Sequence, residues 1–359
     1  MPRIDGMDVR AYQVPTDAPE SDGTACWENT TAVVVRLRAE GQEGLGYTYS
    51  HAAAAQVADT VLKPLVVGQD AFAIGAAWLR MDQAIRNLGR SGIANCARSA
   101  VDGALWDLKA RLFGVALVDL LGAVRDSVAL YGSGGFTSYD KQRLAQQAAR
   151  WAQAGIRMVK MKVGTRPEDD VARVADVAHA VGEGVDVFVD ANGAYSVKQA
   201  CQLGRKFADL GVQWFEEPVS SDDLGGLAFI RGQLPMPVAA GEYGHDPSYF
   251  RAMLEAGAVD VLQADATRCG GPTGFMRAAA LAEAFHRPLS AHTAPSLHLH
   301  VCCAAASLVH LEWFHDHVRL EPMLFDGVVE PSGGRLAPDR SRPGLGISLN
   351  EKEAARFAV

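Results

Sequence analysis

The chain has 359 residues, of which 48% are hydrophobic and 21% are charged, a composition typical of a globular protein with a large core. A single (β/α)8 barrel takes about 250 residues, which leaves about 100 residues for a second unit. The net charge of -8 at pH 7 argues against nucleic acid and anionic membranes as partners, because both require a basic surface.

Residues 1–125 predict a small α+β domain, in which strands precede helices. Two strands, at Val9–Val14 and Thr31–Arg38, flank a polar loop at Asp17–Thr30, and a third strand follows at Gly44–Tyr49. Apolar residues at three-and-four spacing then predict helices at Ala52–Leu65, Ala71–Leu88 and Ile93–Leu112.

From residue 126 the pattern changes to short β-rich segments that alternate with helical ones. The eight strand candidates are VALYGSG, MVKMKVG, VDVFVDAN, VQWFEEP, MPVAAGE, VDVLQAD, RPLSAH and VHLEW. The helical patterns begin near residues 141, 168, 197, 222, 247, 273 and 296. This alternation predicts right-handed βαβ units that close into a parallel barrel over residues 126–328. The turn-rich residues 329–359 are predicted to pack back on the N-terminal domain.

Cysteine usage and hydropathy bear on the cellular compartment. The six cysteines form no C-x-x-C pair, which favours free thiols in a reducing environment. The first ten residues carry charge and contain no apolar segment, and no stretch of the chain approaches 18 apolar residues. We therefore expect a soluble, cytoplasmic protein without a signal peptide or a membrane span.

Ionisable residues end each barrel strand candidate from the second onward, and this end carries the catalytic groups of barrel enzymes. Asp190, Glu216 and Glu242 are spaced by 26 residues, so three neighbouring strands would present three carboxylates to one point. Oxygen ligands without thiolates favour Mg2+, with Mn2+ as a substitute, over zinc. The alternative is that these acids only cap the helices that follow them.

Lys160 and Lys162 lie two residues apart on one strand candidate and therefore point to the same face. If that face is the barrel interior, burial and mutual repulsion would lower the pKa of one lysine. A neutral lysine would then be available as a general base near neutral pH. An exposed strand face is the alternative.

His292 and Asp265 end neighbouring strand candidates, where a carboxylate can orient an imidazole for acid–base chemistry. This pair would place a second acid or base opposite the lysines. Glu312 ends the last strand, and burial would keep it protonated, so that it could donate a hydrogen bond to an enolate oxygen. A structural histidine and an ordinary ion-paired carboxylate are the alternatives.

The constellation K-x-K, D-x-N, E-E-P, G-E, D, H and E resembles the enolase superfamily and, within it, the mandelate racemase subgroup. The resemblance covers essentially the whole chain, including Asp102–Gly114. It implies an α/β fold, a modified TIM barrel of the (β/α)7β type with an N-terminal α+β capping domain, and a symmetric homo-oligomer. The implied roles are metal ligands for Asp190, Glu216 and Glu242, bases for Lys162 and the His292–Asp265 dyad, carboxylate neutralisation for Lys160, enolate stabilisation for Glu312 and support of the site for Asn192. The histidine dyad argues against the muconate-lactonising and dipeptide-epimerase relatives.

Proton abstraction next to the carboxylate of a small-molecule substrate fits these groups. The polar segment Asp17–Thr30 favours an acid sugar, so we expect dehydration of an aldonate or aldarate to a 2-keto-3-deoxy acid. A 2-hydroxy-acid racemase or epimerase and a sugar-lactone cycloisomerase remain alternatives. A non-catalytic metal-binding scaffold and an unrelated metal-dependent barrel, such as an aldolase, are further alternatives of other classes.

Several features support weaker expectations. Four residues of the first domain could close over the site or serve packing alone, namely Trp27, Tyr47, Tyr49 and His51. Ser133 ends the first barrel strand candidate and could contact substrate or form a turn. Arg268 and the glycines that follow it are interpreted as loop geometry.

Overall fold

A computed structural model describes residues 1–359, and its first part is an antiparallel sheet packed on helices. The strands are β1 (Gly6–Ser21), β2 (Cys26–Ala39) and β3 (Gln42–Tyr49). The helices are α1 (Ala53–Val57), α2 (Lys63–Val66), α3 (Ile74–Ala84), α4 (Ile93–Phe113) and α5 (Leu117–Leu121), with a π-helical turn at Ala58–Leu62 and a 3-10 turn at Arg86–Leu88. These elements form the N-terminal capping domain, which the C-terminal segment also contacts.

The predicted polar loop at Asp17–Thr30 is wrong, because β1 and β2 continue through it as a long hairpin. The register between the two strands shifts between Pro15 and Glu20, and pairing resumes up to Ser21. At the hairpin tip, Ser21 Oγ lies 2.6 Å from Thr137 Oγ1, and Thr137 N–H donates to the Ser21 carbonyl. The polar groups of this segment are therefore bonded to the barrel, which allows extended structure where the sequence alone indicates a solvated loop.

Eight parallel strands form the closed barrel. They are β4 (Val128–Gly134), β5 (Met158–Lys162), β6 (Asp186–Asp190), β7 (Trp214–Glu216), β8 (Val238–Ala240), β9 (Val261–Ala264), β10 (Leu289–Ala291) and β11 (Leu308–Phe314), and β11 pairs with β4. The intervening helices are α6 (Lys141–Gln153), α7 (Pro167–Val181), α8 (Val197–Asp209), α9 (Leu224–Arg231), α10 (Pro247–Glu255), α11 (Gly271–Ala284) and α12 (Pro295–Ala304). The predicted fold class, a modified TIM barrel with an N-terminal capping domain, is confirmed.

Side chains fill the barrel interior beneath the strand ends. The cluster contains Tyr131, Phe188, Trp214, Ala239 and Val261, all buried. Such layers make a barrel a packed core rather than a pore, so the ionisable strand-end residues lie above a layer of packed, largely aromatic side chains. None of the helices combines the length and the apolar composition needed to cross a membrane.

The C-terminal segment contacts both parts of the molecule. It contains α13 (His315–Leu324), β12 (Phe325–Asp326), β13 (Arg335–Leu336), β14 (Ser348–Leu349), α14 (Glu351–Ala354) and a 3-10 turn at Ala355–Phe357. Strand β13 pairs with β4 of the barrel, whereas Ala358 bridges to Tyr12 on β1. The buried carboxylate of Asp107 on α4 accepts hydrogen bonds from the amides of Leu45 and Leu345, each 2.6 Å long. This carboxylate therefore ties the end of the chain to the capping sheet.

The close approach of β3 to α4 gives a stability prediction. A Cβ atom at Gly46 would overlap the backbone of Ala100 and Ala104 on α4. We expect Gly46→Ala to lower the free energy of unfolding by at least ~2 kcal/mol, because backbone cannot yield to an added methyl group. Urea unfolding followed by circular dichroism measures this change. Gly75→Ala on α3 is the control, since its Cβ would meet open space; equal stabilities for the two variants would contradict the prediction.

Candidate active site

Three carboxylates converge at the mouth of the barrel. Asp190 ends β6, Glu216 ends β7 and Glu242 follows β8, and one oxygen atom of each lies within 4.8 Å of the others. All three side chains are buried. Trp214 Nε1–H donates to Glu216 Oε2 (2.9 Å), and the backbone N–H of Asn192 donates to Asp190 Oδ1 (2.9 Å). Glu242 Oε2 is buried without a hydrogen-bond partner, which is the state of an oxygen available to a cation.

The register of the strands explains this convergence. Lys162 on β5 lies opposite Asp190 on β6, and Asp190 lies opposite Glu216 on β7. Neighbouring strands therefore present their last residues at one level. The sequence spacing of 26 residues corresponds to this geometry, because one βα unit separates each pair.

Both lysines point into the barrel and are ion-paired. Lys160 Nζ lies 2.5 Å from Glu216 Oε1 and 3.0 Å from Glu312 Oε1, and Lys162 Nζ lies 2.5 Å from Asp190 Oδ2. Burial alone would lower the pKa of each lysine, but the surrounding carboxylates outweigh it and raise both values. The expected lowering of one lysine pKa is therefore wrong for the protein alone, because the prediction counted repulsion between lysines and omitted their carboxylate partners.

Glu312 is likewise ionised rather than protonated, which corrects the expectation from the sequence. Burial raises the pKa of Glu312, but Lys160 and His292 lower it by more, and the net shift is downward. Its Oε2 accepts the backbone N–H of Thr293 (3.0 Å). Glu312 therefore holds Lys160 in place and faces the cavity as an anion.

His292 and Asp265 form the predicted pair. His292 Nδ1 lies 2.8 Å from Asp265 Oδ2, and His292 Nε2 faces Glu242 Oε2 at 3.3 Å. Burial would raise the pKa of Asp265, but its hydrogen bond to His292 and the histidine charge keep it below the usual value. An ionised Asp265 accepts the Nδ1–H of the imidazole, so Nε2 is the nitrogen that faces the cavity.

Two ionisable residues of the site were missed by the sequence interpretation. Arg268 was interpreted as loop geometry, yet its NH1 lies 3.4 Å from Glu242 Oε1 and its Nε lies 3.5 Å from Asp265 Oδ2. Glu217 is buried with a backbone φ of 37°, and its Oε1 has no hydrogen-bond partner. The doubled glutamate of E-E-P was the available signal for Glu217, and no local pattern indicated Arg268.

The site opens into a cavity of about 460 Å³ between the barrel and the capping domain. Barrel residues that line it include Lys162, Asn192, Glu242, His292 and Glu312. Three of the four capping residues expected near the site also line it, namely Trp27, Tyr49 and His51. Tyr47 does not line it, and its hydroxyl donates to buried Glu321 instead (2.6 Å). Ser133 lies outside this lining, buried and without a partner for its hydroxyl.

This combination of fold and site defines a barrel enzyme for acid–base chemistry next to a carboxylate. Two family models match the chain: Mandelate racemase / muconate lactonizing enzyme, N-terminal domain, over residues 7–122, and Enolase C-terminal domain-like over residues 143–353. The chain belongs to the enolase superfamily, in its mandelate racemase subgroup.

Similar proteins include both dehydratases and cycloisomerases. The crystal structure of a mandelate racemase/muconate lactonizing enzyme-like protein from Rubrobacter xylanophilus is 49% identical, covers 100% of both chains and has a TM-score of 0.98. The 3,6-anhydro-alpha-L-galactonate cycloisomerase of Streptomyces coelicolor is 34% identical over 99% of each chain. The L-talarate/galactarate dehydratase of Salmonella typhimurium is 34% identical over 98% of this chain and 90% of its own. A structure of that dehydratase liganded with Mg and L-lyxarohydroxamate has a TM-score of 0.92, with 31% identity over 100% of this chain and 93% of its own.

Proposed function

We propose that this protein is a Mg2+-dependent acid-sugar dehydratase that converts an aldonate or aldarate to a 2-keto-3-deoxy acid. The observation that carries the proposal is the placement of Lys162 and His292. Lys162 ends β5, His292 follows β10, and both line one cavity beside the carboxylate cluster. A base and an acid that reach one substrate from different sides are the minimum for removing a proton and a hydroxide from adjacent carbons.

Asp190, Glu216 and Glu242 would hold the metal. Their donor set contains only carboxylate oxygens, the atoms converge, and Glu242 Oε2 makes no hydrogen bond, all of which fit Mg2+. A divalent cation bound there would neutralise the substrate carboxylate and offset the carboxylate charge that raises the pKa of Lys162. Mn2+ has the same preference for oxygen ligands and is the expected substitute.

The protein residues then divide the proton transfers between them. Neutral Lys162 takes the proton from C2, and the electrons of that C–H bond move into the carboxylate to form an enolate. The Lys160 ammonium donates to a carboxylate oxygen and so stabilises the added charge. As the C3–O bond breaks, His292 Nε2 gives its proton to the departing hydroxide, which leaves as water. Asp265 stabilises the imidazolium before this step, and the enol product tautomerises to the 2-keto acid.

Asn192 and Glu312 would support these steps without transferring protons. Asn192 N–H orients the Asp190 carboxylate, and Glu312 fixes the ammonium group of Lys160.

A sugar-lactone cycloisomerase is the second candidate function, favoured by the full-length similarity to the Streptomyces enzyme. A racemase or epimerase would use the same two bases. A homo-oligomer and a cytoplasmic location stay predictions from the sequence.

Proton NMR in deuterated buffer tests the proposal directly. With Mg2+ and a panel of acid sugars, we expect starting material to be lost and a 2-keto-3-deoxy acid to appear, whereas excess EDTA should stop the reaction. Deuterium at C2 with an unchanged or inverted skeleton would instead establish a racemase or epimerase. Conversion of lactones alone would favour the cycloisomerase.

A further inference from the structure

The cavity has a second wall, opposite the barrel, whose chemistry differs from that of the carboxylate cluster. This wall is formed by the hairpin of β1 and β2 and by the start of α13, with Trp27, Asn29, Thr30, Thr31 and Asp316 in the lining. The wall carries hydroxyl, amide and indole groups and one carboxylate. We refer to these five residues as the hairpin wall.

Cationic side chains are absent from the hairpin wall. The lysine and arginine that line the cavity are Lys162 and Arg268, and both are paired with carboxylates of the site. Arg268 lies beside Glu242 and Asp265, on the side of strands β8 and β9. Burial lowers the pKa of His317, which therefore adds no positive charge to the lining. The five residues of the hairpin wall therefore offer an anion no cationic side chain; Arg319, which is absent from the cavity lining, is ion-paired with Asp316 (3.6 Å).

Asp316 gives the hairpin wall its negative charge. Its Oδ2 accepts from Thr30 Oγ1 (2.6 Å) and Trp27 Nε1 (3.3 Å), and its buried Oδ1 has no hydrogen-bond partner. Arg319 NH2 is 3.6 Å from Oδ1, beyond hydrogen-bond distance, and donates to the Pro15 carbonyl. Oδ1 is therefore ion-paired with Arg319 but accepts no hydrogen bond from it, which leaves it able to accept one from a substrate hydroxyl.

Glu20 stands behind this wall and accepts from Trp27 Nε1 (3.0 Å). Burial and the neighbouring charge of Asp316 raise the pKa of Glu20 to about 9, so this carboxyl group is neutral near pH 7. The net charge that the hairpin wall presents near neutral pH is thus that of Asp316.

We propose that the hairpin wall binds the uncharged, hydroxyl-bearing end of the substrate, so that the enzyme acts on acids with one carboxylate, the aldonates, in preference to aldarates. This inference rests on the proposed function and narrows it. A substrate hydroxyl can donate to Asp316 and accept from threonine or asparagine. A second carboxylate at the same place could also accept from the hydroxyl and amide groups, but it would face the charge of Asp316 with no cationic side chain in the wall to offset the repulsion.

The test compares aldonates with aldarates of the same configuration, using the Mg2+-loaded enzyme and NMR detection of C2-proton loss. We expect kcat/KM to be at least ~100-fold higher for the aldonate of an active pair. Equal rates, or faster reaction of aldarates, would overturn the inference while leaving the proposed function intact. If neither aldonates nor aldarates lose the C2 proton, the proposed function is wrong and this inference is wrong with it.

Asp316→Asn tests the effect of the negative charge at this position, because asparagine keeps the size of the side chain and the oxygen that accepts from Thr30. We expect the preference for aldonates to fall at least ~10-fold, through a rise in kcat/KM for aldarates. Asp17→Asn is the matched control: Asp17 lies on the same hairpin, is bonded to Arg143 and His315, and is absent from the cavity lining. Thermal unfolding checks that both variants fold. An unchanged preference in Asp316→Asn, or an equal fall in Asp17→Asn, would refute the assignment.

Discussion

Replacement of Lys162 by methionine is expected to lower the rate of C2-proton removal at least ~1000-fold, because methionine keeps an unbranched side chain only one heavy atom shorter and removes the basic nitrogen. The loss should appear in kcat more than in KM, since the proton transfer takes place after binding. Deuterium incorporation at C2, followed by NMR, measures it. Lys198→Met, on the exposed face of α8, is the control and should behave as the unchanged protein.

His292→Asn separates the two proton transfers. If His292 protonates the departing hydroxide, this variant should lose product formation while C2 deuteration through Lys162 continues. In contrast, Lys162→Met should lose both. A Lys162→Met enzyme that still exchanges its substrate proton at the normal rate would show that Lys162 is not the base.

Asp190→Asn is expected to weaken Mg2+ binding at least ~100-fold and to abolish turnover. Loss of a residue that only orients a ligand already costs about 10- to 100-fold in metal affinity, so loss of a charged ligand should cost more. Asp190 is fully buried at the end of β6, and one of its oxygen atoms lies within 4.8 Å of oxygen atoms of Glu216 and Glu242. Isothermal titration calorimetry with Mg2+ measures the affinity directly.

Asp186→Asn provides the control for this change. Asp186 begins the same strand at the opposite end of the barrel and is exposed. Its replacement removes the same formal charge from the same element, and Mg2+ affinity should stay unchanged. Full Mg2+ affinity in Asp190→Asn would show that the carboxylate cluster is not the metal site.

The strand-end residues were predictable because the chain repeats a βα unit of nearly constant length. Once a regular alternation indicates a barrel, the last residue of each strand must lie at the mouth, whatever its side chain. Asp190, Glu216 and His292 were found in this way, without knowledge of any contact. The polar character of these positions then stands out against strands that are otherwise apolar.

The hairpin and the charge states were not predictable in the same way. Asp17–Thr30 has the composition of a loop, and its extended structure depends on barrel residues such as Thr137, which lies 116 residues after its partner Ser21. The pKa of Lys160 depends on Glu216 and Glu312, whose approach results from closure of the barrel. Such long-range contacts leave no local pattern in the sequence.

The hydrogen bonds of Asp107 also have a consequence for the order of folding during synthesis. The capping sheet and α4 leave the ribosome first, yet Asp107 Oδ1 obtains its partner only when Leu345 has been made. Until then a buried carboxylate oxygen has no donor, a state that disfavours tight packing around it. The bridge from Tyr12 to Ala358 forms later still, because Ala358 follows Leu345 in the chain. The capping sheet and α4, although synthesised first, therefore obtain part of their hydrogen bonding only after the barrel strands have been made.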